Sequence, residues 1–141
     1  MKQGFVKVAS ATPRIRVADP VYNAQVICEQ AKEAAEHGAK IVVFPELCIT
    51  GYTCNDLFLQ ELLLEKAKEA LLTIAEETGQ LETLFLVGLP VDKDGRLYNV
   101  AAVLLTEWSE GFNDSVYGFR ETFPFYQTDQ FWAFASSREF T

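Results

Sequence analysis

Residues 42–58 read Val-Val-Phe-Pro-Glu-Leu-Cys-Ile-Thr-Gly-Tyr-Thr-Cys-Asn-Asp-Leu-Phe. The β-branched run over residues 40–44 is typical of a strand buried on both faces. It ends at Pro45, and the next residue is a carboxylate, Glu46. Active sites of α/β sheets lie at the carboxyl ends of strands, where a desolvated carboxylate suits a general base. A surface glutamate in an ordinary strand-to-loop turn is the alternative interpretation.

Three further stretches outside this segment have the composition of strands. Residues 5–11 precede it, and residues 84–89 and 97–105 follow it. The turn signal at residues 92–95 (Asp-Lys-Asp-Gly) predicts that the last two strands pair as a hairpin. Together with two intervening helices, the order β-α-β-α-β-β predicts an α/β sheet with helices packed on one face.

Both predicted helices have an apolar stripe at helical spacing. The first begins at the N-cap residue Asp19 and ends at Gly38, since glycine accepts a left-handed conformation. The second is predicted to be capped by Asn55 or Asp56 and to end near Gly79. The two stripes consist of Val21, Ala24, Cys28, Ala31 and Ala35 in the first helix and Leu63, Ala67, Ala70 and Ile74 in the second.

Length and charge restrict the class of protein. The 141 residues are enough for one domain, and 49% apolar with 23% charged residues is typical of a globular core. A net charge of −8 argues against nucleic acid or an anionic membrane as a partner. No apolar run approaches the roughly 20 residues that span a bilayer, and no signal peptide precedes the first strand pattern. These features predict a cytoplasmic location.

The cysteines and the histidine do not form a metal-binding pattern. Cys28, Cys48 and Cys54 include no Cys-x-x-Cys pair, and His37 is the chain's one histidine, so no metal site is predicted. His37 is expected at a helix end or on the surface. We expect reduced thiols. Cys48 and Cys54 lie near Glu46 in sequence, but a nucleophilic thiol needs a base positioned on it.

Several motifs resemble the carbon–nitrogen hydrolase (nitrilase) superfamily. Phe-Pro-Glu-Leu at residues 44–47, followed by Gly-Tyr at residues 51–52, is similar to its first catalytic motif. The longer stretch 46–58 resembles the amino-terminal glutaminase domain of glutamine-dependent NAD synthetases, as do residues 4–9, 87–90 and 97–101. The resemblance covers residues 1–105, fails over residues 106–134 and resumes at residues 135–141.

The resemblance implies a four-layer α-β-β-α sandwich of two six-stranded sheets. Residues 1–141 would then form an incomplete carbon–nitrogen hydrolase domain, with about one sheet and two flanking helices. One apolar face of that sheet would lack its partner, which favours association or aggregation.

Residues 106–134 are rich in aromatic side chains without a regular period, which favours an irregular segment. The family's catalytic lysine belongs here, and the nearest match is the stretch 120–124, Arg-Glu-Thr-Phe-Pro. Glu121 then stands at the lysine position and would repel a developing oxyanion. Arg120 differs from lysine in shape and direction, so it is not assigned the role. Two compensating reading-frame shifts, near residues 106 and 134, would explain the divergence, and the coding DNA tests this.

The resemblance also implies a mechanism and its partners. Glu46 would be the general base for a cysteine that attacks the glutamine amide, and Tyr52 would line the glutamine pocket or pack in the core. The nucleophilic cysteine belongs to a motif beyond Thr141, so the chain alone is expected to be inactive. The released ammonia would pass to a synthetase domain that uses ATP and Mg²⁺, in a parent enzyme expected to be a homo-oligomer. The glutaminase domain itself needs no cofactor.

Two alternatives remain open. In the first, the chain is part of another carbon–nitrogen hydrolase, such as an amidase or carbamoylase. In the second, it is a non-catalytic interaction module that pairs with another subunit through its bare sheet face. The extension over residues 48–58 argues against the amidase, and the absent lysine and cysteine favour the module for the isolated chain.

Overall fold

A computed structural model describes residues 4–93 and 95–104, and residues 131–139 as backbone. The elements, in chain order, are β1 (Val8–Ser10), α1 (Pro20–Glu36), β2 (Ile41–Val43), a 3₁₀-helix (Asn55–Leu59), α2 (Glu61–Glu77), β3 (Leu84–Lys93), β4 (Arg96–Leu104) and β5 (Phe131–Glu139). Neither α-helix in the described ranges is long and apolar enough to cross a membrane.

The strands form one sheet in the order β1-β2-β3-β4-β5. The pairs β1–β2 and β2–β3 are parallel, with α1 and α2 as their connections, whereas β3–β4 and β4–β5 are antiparallel. The register places Val43 beside Leu86 and Gly88 beside Ala101. These pairs bring the end of β2 close to the middle of β3 and β4.

The hydrophobic core lies between one face of the sheet and the two helices. Alternate strand residues enter it, such as Val42, Val87 and Ala102, which are all fully buried. Ile27 of α1 and Leu71 of α2 pack in the same core. The opposite face carries Val8, Ser10, Val43, Leu86 and Ala101, and we refer to it as the helix-free face.

Local signals explain the ends of α1. Asp19 accepts a hydrogen bond from the Tyr22 backbone N–H at 3.2 Å, and Pro20 occupies the first helical position. Gly38 follows the helix with φ of 85°, as the sequence predicts. His37 is exposed at this end, with Nδ1 2.8 Å from the Glu33 carbonyl oxygen.

The predicted strands, hairpin and helices are confirmed, with three corrections. Gln60, not Asn55 or Asp56, precedes α2, and Asn55 opens the 3₁₀-helix with φ of 51°. Val21 is exposed and does not belong to the buried stripe of α1. Ile27, which the predicted stripe left out, is buried in the core instead. The stripe predicted for α2 is buried throughout.

Strand β5 is the third difference. The aromatic-rich stretch gave no strand period, yet the backbone over residues 131–139 pairs with β4. The prediction of irregular structure is therefore wrong for residues 131–134, because pairing with an existing strand edge does not require a periodic pattern in the added strand. Arg120 and Glu121, the latter expected at the position of the family's lysine, lie outside the described residues.

Candidate active site

Glu46 lies just past the end of β2, where the chain turns onto the helix-free face. The Phe44 side chain is buried, and its backbone N–H donates to the Leu86 carbonyl at 2.9 Å, so the chain stays beside β3 up to this point. Glu46 then borders a shallow cavity of about 350 Å³, whose lining includes Val43, Leu86 and Ala101. The carboxylate therefore lies at a concave part of the sheet surface.

The Glu46 side chain is exposed, so the desolvation expected from the sequence is not found. The physical reason is that no layer in the described ranges covers the helix-free face at this point. One carboxylate contact is specific: the Asn99 side-chain amide donates a hydrogen bond to Glu46 Oε1. Asn99 comes from β4 and lines the same cavity.

Gly88 allows the segment after β2 to cross β3 at close range. A Cβ at this position would lie 2.4 Å from the Leu47 backbone nitrogen and 2.9 Å from the Pro45 carbonyl oxygen. The Gly88 carbonyl accepts a hydrogen bond from the Ile49 N–H at 3.1 Å. Leu47 takes a left-handed conformation, with φ of 53°. The path of residues 45–49, and with it the position of Glu46, depends on this close approach.

Asn23 of α1 fixes the far end of the same segment. Its fully buried amide donates to the carbonyls of Arg16 and Ile49, both at 2.8 Å, and accepts from the Arg16 N–H at 2.7 Å. It thereby joins the loop before α1 to the loop after β2. Asn23 and Asn99 are not among the site residues predicted from the sequence. A polar residue within the helix pattern was the available signal for Asn23, and for Asn99 it was the stretch 97–101, which resembles the glutaminase domain.

Tyr52 is not brought to the carboxylate. Its side chain is 75% exposed, and it is not among the residues that line the Glu46 cavity. The core-packing alternative for Tyr52 is therefore wrong, because the turn at Gly51, with φ of 85°, directs the chain outward. Its role in a glutamine pocket stays a prediction.

The three cysteines are free and buried. Burial raises the pKa of Cys48 from 9.0 to about 12 and that of Cys28 to about 11, and it also raises the pKa of Cys54. The Cys54 thiol lies 3.2 Å from the Thr50 carbonyl oxygen, and Cys48 lies 3.7 Å from that of Gly88. A thiol must ionise to act as a nucleophile, so none of the three has the environment of an activated one.

A larger groove, of about 520 Å³, lies between α1 and α2 on the other side of the sheet. It is bordered by an exposed ion pair between Lys32 and Glu77, 2.8 Å apart, which lowers the pKa of Glu77 and raises that of Lys32. Within the described ranges, no three His, Cys, Asp or Glu side chains come together as they would around a metal ion. Among the described residues, Glu46 combines an exposed carboxylate, a neighbouring cavity and a specific amide contact.

Comparison with known proteins identifies the family of the chain. The family model described as carbon-nitrogen hydrolase matches residues 7–116. A glutamine-dependent NAD(+) synthetase of Mycobacterium tuberculosis is 37% identical over 103 residues, which are 73% of this chain and 15% of that protein. The corresponding protein of Xylella fastidiosa is 36% identical over 103 residues, 71% of this chain and 18% of its own length. The chain therefore spans less than a fifth of these relatives.

Solved structures agree in fold. A glutamine-dependent NAD(+) synthetase from Cytophaga hutchinsonii has a TM-score of 0.67 and 31% identity, covering 72% of this chain and 17% of that one. An amidase from Nesterenkonia sp. has a TM-score of 0.62 at 23% identity, covering 75% of this chain and 40% of that one, so it supports the fold alone. The sheet and its two helices match part of a nitrilase-type fold, and the chain belongs to the carbon–nitrogen hydrolase family.

Proposed function

We propose that this chain provides the general base of a glutaminase site that supplies ammonia for ATP-dependent NAD synthesis. The observation that carries the proposal is the Glu46 carboxylate, which borders a cavity at the carboxyl end of β2. Similarity to glutamine-dependent NAD(+) synthetases over residues that include this motif supports glutamine as the substrate.

The chemistry requires Glu46 to carry a proton from the thiol to the leaving nitrogen. The carboxylate takes the proton of a cysteine thiol, and the thiolate forms a bond to the amide carbon of glutamine. A lysine stabilises the oxyanion, and the C–N bond breaks as Glu46 returns the proton to the nitrogen, which leaves as ammonia. Water then attacks the thioester carbon and releases glutamate and the free thiol. In this proposal the thiol comes from outside the described residues, because Cys28, Cys48 and Cys54 are buried and burial raises their pKa values. The lysine does so too, since no lysine is among the described residues that line the Glu46 cavity.

In this proposal the chain alone does not hydrolyse glutamine. The ammonia passes to a synthetase domain, which is where ATP and Mg²⁺ act, and the complete enzyme is a homo-oligomer. The role of Tyr52 in the glutamine pocket is part of the proposal, and it requires further layers to cover the side chain, which is exposed here. A glutaminase assay on the purified chain tests the first point, and turnover that is abolished by Glu46→Gln would contradict it.

A chimera tests the role of Glu46 directly. The matched 103-residue segment of the Mycobacterium tuberculosis relative is replaced by that of this chain, and NAD formation is measured with glutamine and with ammonia. We expect Glu46→Gln to lower the glutamine-dependent rate by about 100-fold or more and to leave the ammonia-dependent rate unchanged. The ammonia reaction is thus an internal control for folding of the synthetase.

Two outcomes contradict the proposal. One is a folded chimera that forms NAD from ammonia but not from glutamine. The other is a chimera in which Glu46→Gln retains the full rate with glutamine. Hydrolysis of simple aliphatic amides as fast as glutamine would favour the alternative of a general amidase.

A non-catalytic interaction module is the second candidate function. The exposure of Val8 and Val43 on the helix-free face favours it, since contiguous apolar surface is typical of a protein interface. Two results together would support the module: the chain is a well-folded but inactive oligomer, and Glu46→Gln leaves the glutamine-dependent rate of the chimera unchanged.

A further inference from the structure

The environment of Asn99 differs from that of the rest of β4. Its neighbours on the helix side, such as Val100 and Ala102, are fully buried apolar residues. Asn99 faces the other way, is half-buried and lines the cavity beside Glu46. Its side-chain amide donates to Glu46 Oε1 across 53 residues of sequence. A polar side chain thus contacts the carboxylate from within the sheet.

The sheet is irregular at this residue. Tyr98 pairs with Glu139 of β5 and Val100 pairs with Ala135, so the register shifts between them and Asn99 has no matched position. On its other side Asn99 is opposite Pro90 of β3. The extra residues belong to β5, where three residues lie opposite Asn99, and irregularities of this kind are common beside active sites. The register shift therefore lies next to the residue that contacts Glu46.

The chemistry of the two groups fixes the direction of the hydrogen bond. An ionised carboxylate offers acceptors alone, so the amide nitrogen of Asn99, and not its oxygen, has to face Glu46. The bond engages Oε1 and leaves Oε2 to accept a proton. A base held at one oxygen and open at the other is oriented for transfer from a thiol above the cavity.

We propose that Asn99 is a positioning residue that orients the Glu46 carboxylate for proton abstraction. The inference rests on the function proposed for Glu46, and it adds a residue from a different strand to that site. Asn99 acts through Glu46 and need not contact glutamine. Its loss should therefore affect the chemical step more than substrate binding.

A kinetic experiment uses the chimera described above. We expect Asn99→Leu, which keeps the approximate volume but removes the donor, to lower kcat with glutamine by about 10- to 100-fold. KM for glutamine and the ammonia-dependent rate should change little. Asn99→Gln retains an amide donor and should restore part of kcat. Ser10→Leu places the same side chain elsewhere on the helix-free face and is the matched control.

A spectroscopic experiment uses the intact 141-residue chain. The Asn99 side-chain amide resonances are assigned by their loss in Asn99→Leu and then followed in Glu46→Ala, which removes the acceptor. We expect a clear shift of the Asn99 amide protons, while those of the exposed Asn55 stay in place.

The two arms separate the proposals. If Glu46→Gln retains activity in the chimera, the proposed function fails, whatever Asn99→Leu does. If Glu46→Gln is inactive while Asn99→Leu keeps the parental kcat, the positioning role is overturned and the proposed function stands. Equal loss of the glutamine- and ammonia-dependent rates in Asn99→Leu would also overturn the positioning role. So would Asn99 amide resonances that do not shift in Glu46→Ala.

Discussion

Glu46 is held in place by residues that are remote from it in sequence. The backbone of Gly88 lies against the segment that carries it, and the Asn99 amide contacts its carboxylate. Neither contact depends on burial, since Glu46 is exposed. The position of this carboxylate is therefore a property of the chain path after β2 and not of desolvation.

The cysteines give a pH-dependent prediction. Because burial raises the pKa of Cys48 to about 12, we expect alkylation by iodoacetamide at pH 8 to be roughly a thousandfold slower than for an unshifted thiol. The rate should rise about tenfold for each pH unit above pH 8, as the thiolate fraction increases. Mass spectrometry of the native chain measures this, and the same reaction in denaturant is the control. Rapid native labelling of Cys48 at pH 8 would contradict the prediction.

The same shift has a consequence for stability. The folded chain keeps these thiols protonated, whereas the unfolded chain loses the protons near the ordinary pKa of 9.0. The contribution of these thiols to the free energy of unfolding is therefore fully present below pH 9. It is lost as the pH rises from 9 towards 12, where the unfolded chain alone releases the protons. Chemical denaturation at a series of alkaline pH values should show this decrease.

Gly88→Ala tests the close approach of the two backbone segments. The added Cβ would meet the Leu47 nitrogen at 2.4 Å, so we expect the free energy of unfolding to fall by about 1–3 kcal/mol. Urea denaturation measures the change. Gly79→Ala is the matched control, because a Cβ there would lie 3.3 Å from its nearest neighbour, the Ala75 carbonyl oxygen. Equal midpoints for the two variants would show that the segment does not need Gly88.

At the scale of elements, α1 does more than cover the sheet. Asn23 connects it to the loop before the helix and to the loop after β2 through three hydrogen bonds. The Ile49 carbonyl is buried and the Arg16 backbone groups are partly buried, so these bonds are costly to leave unmade. The helix therefore contributes to the placement of residues 45–49 as well as to the core.

Asn23→Leu should destabilise the chain by about 3 kcal/mol, because it leaves the buried Ile49 carbonyl and the part-buried Arg16 backbone groups without the partner they have here. Gln25→Leu changes an exposed amide on the same helix and should have little effect. Urea denaturation of both variants gives the comparison. A small effect of Asn23→Leu would mean that water or another side chain replaces these bonds.

At the scale of the whole molecule, the two faces of the sheet differ. The helix face forms the core, whereas the helix-free face carries Val8 at 64% and Val43 at 46% exposure. Exposed apolar surface on a sheet favours association. We therefore expect the apparent mass of the 15.8 kDa chain to rise with concentration in size-exclusion chromatography.

Val43→Lys should lower this association, because a charge on the helix-free face opposes its burial. Val21→Lys introduces the same charge at a 62% exposed valine of α1, outside that face, and is the matched control. Light scattering on both variants measures the difference. Association that is reduced equally by the two substitutions would show that net charge, and not this face, controls it.

Much of the fold was predictable because its signals are local. The existence of β2, the cap at Asp19 and the stripe of α2 follow from neighbouring residues and their spacing. The prediction that this strand is buried on both faces is wrong, because Val43 lies on the helix-free face and is exposed. The prediction that Asn55 or Asp56 caps α2 was wrong, because these two residues begin a separate 3₁₀-helix. β5 was missed because its partner strand, and not its own period, defines it.

Strand pattern and motif are contiguous at residues 40–47, so the sequence alone is enough to predict that a carboxylate follows a strand of an α/β sheet. The surroundings of that carboxylate depend on tertiary contacts. The register between β3 and β4 brings Asn99 to Glu46, Gly88 admits the crossing segment, and Tyr52 is not among the residues that line the cavity. The reason is physical: register and loop path depend on packing between residues far apart in the chain, which no local pattern encodes.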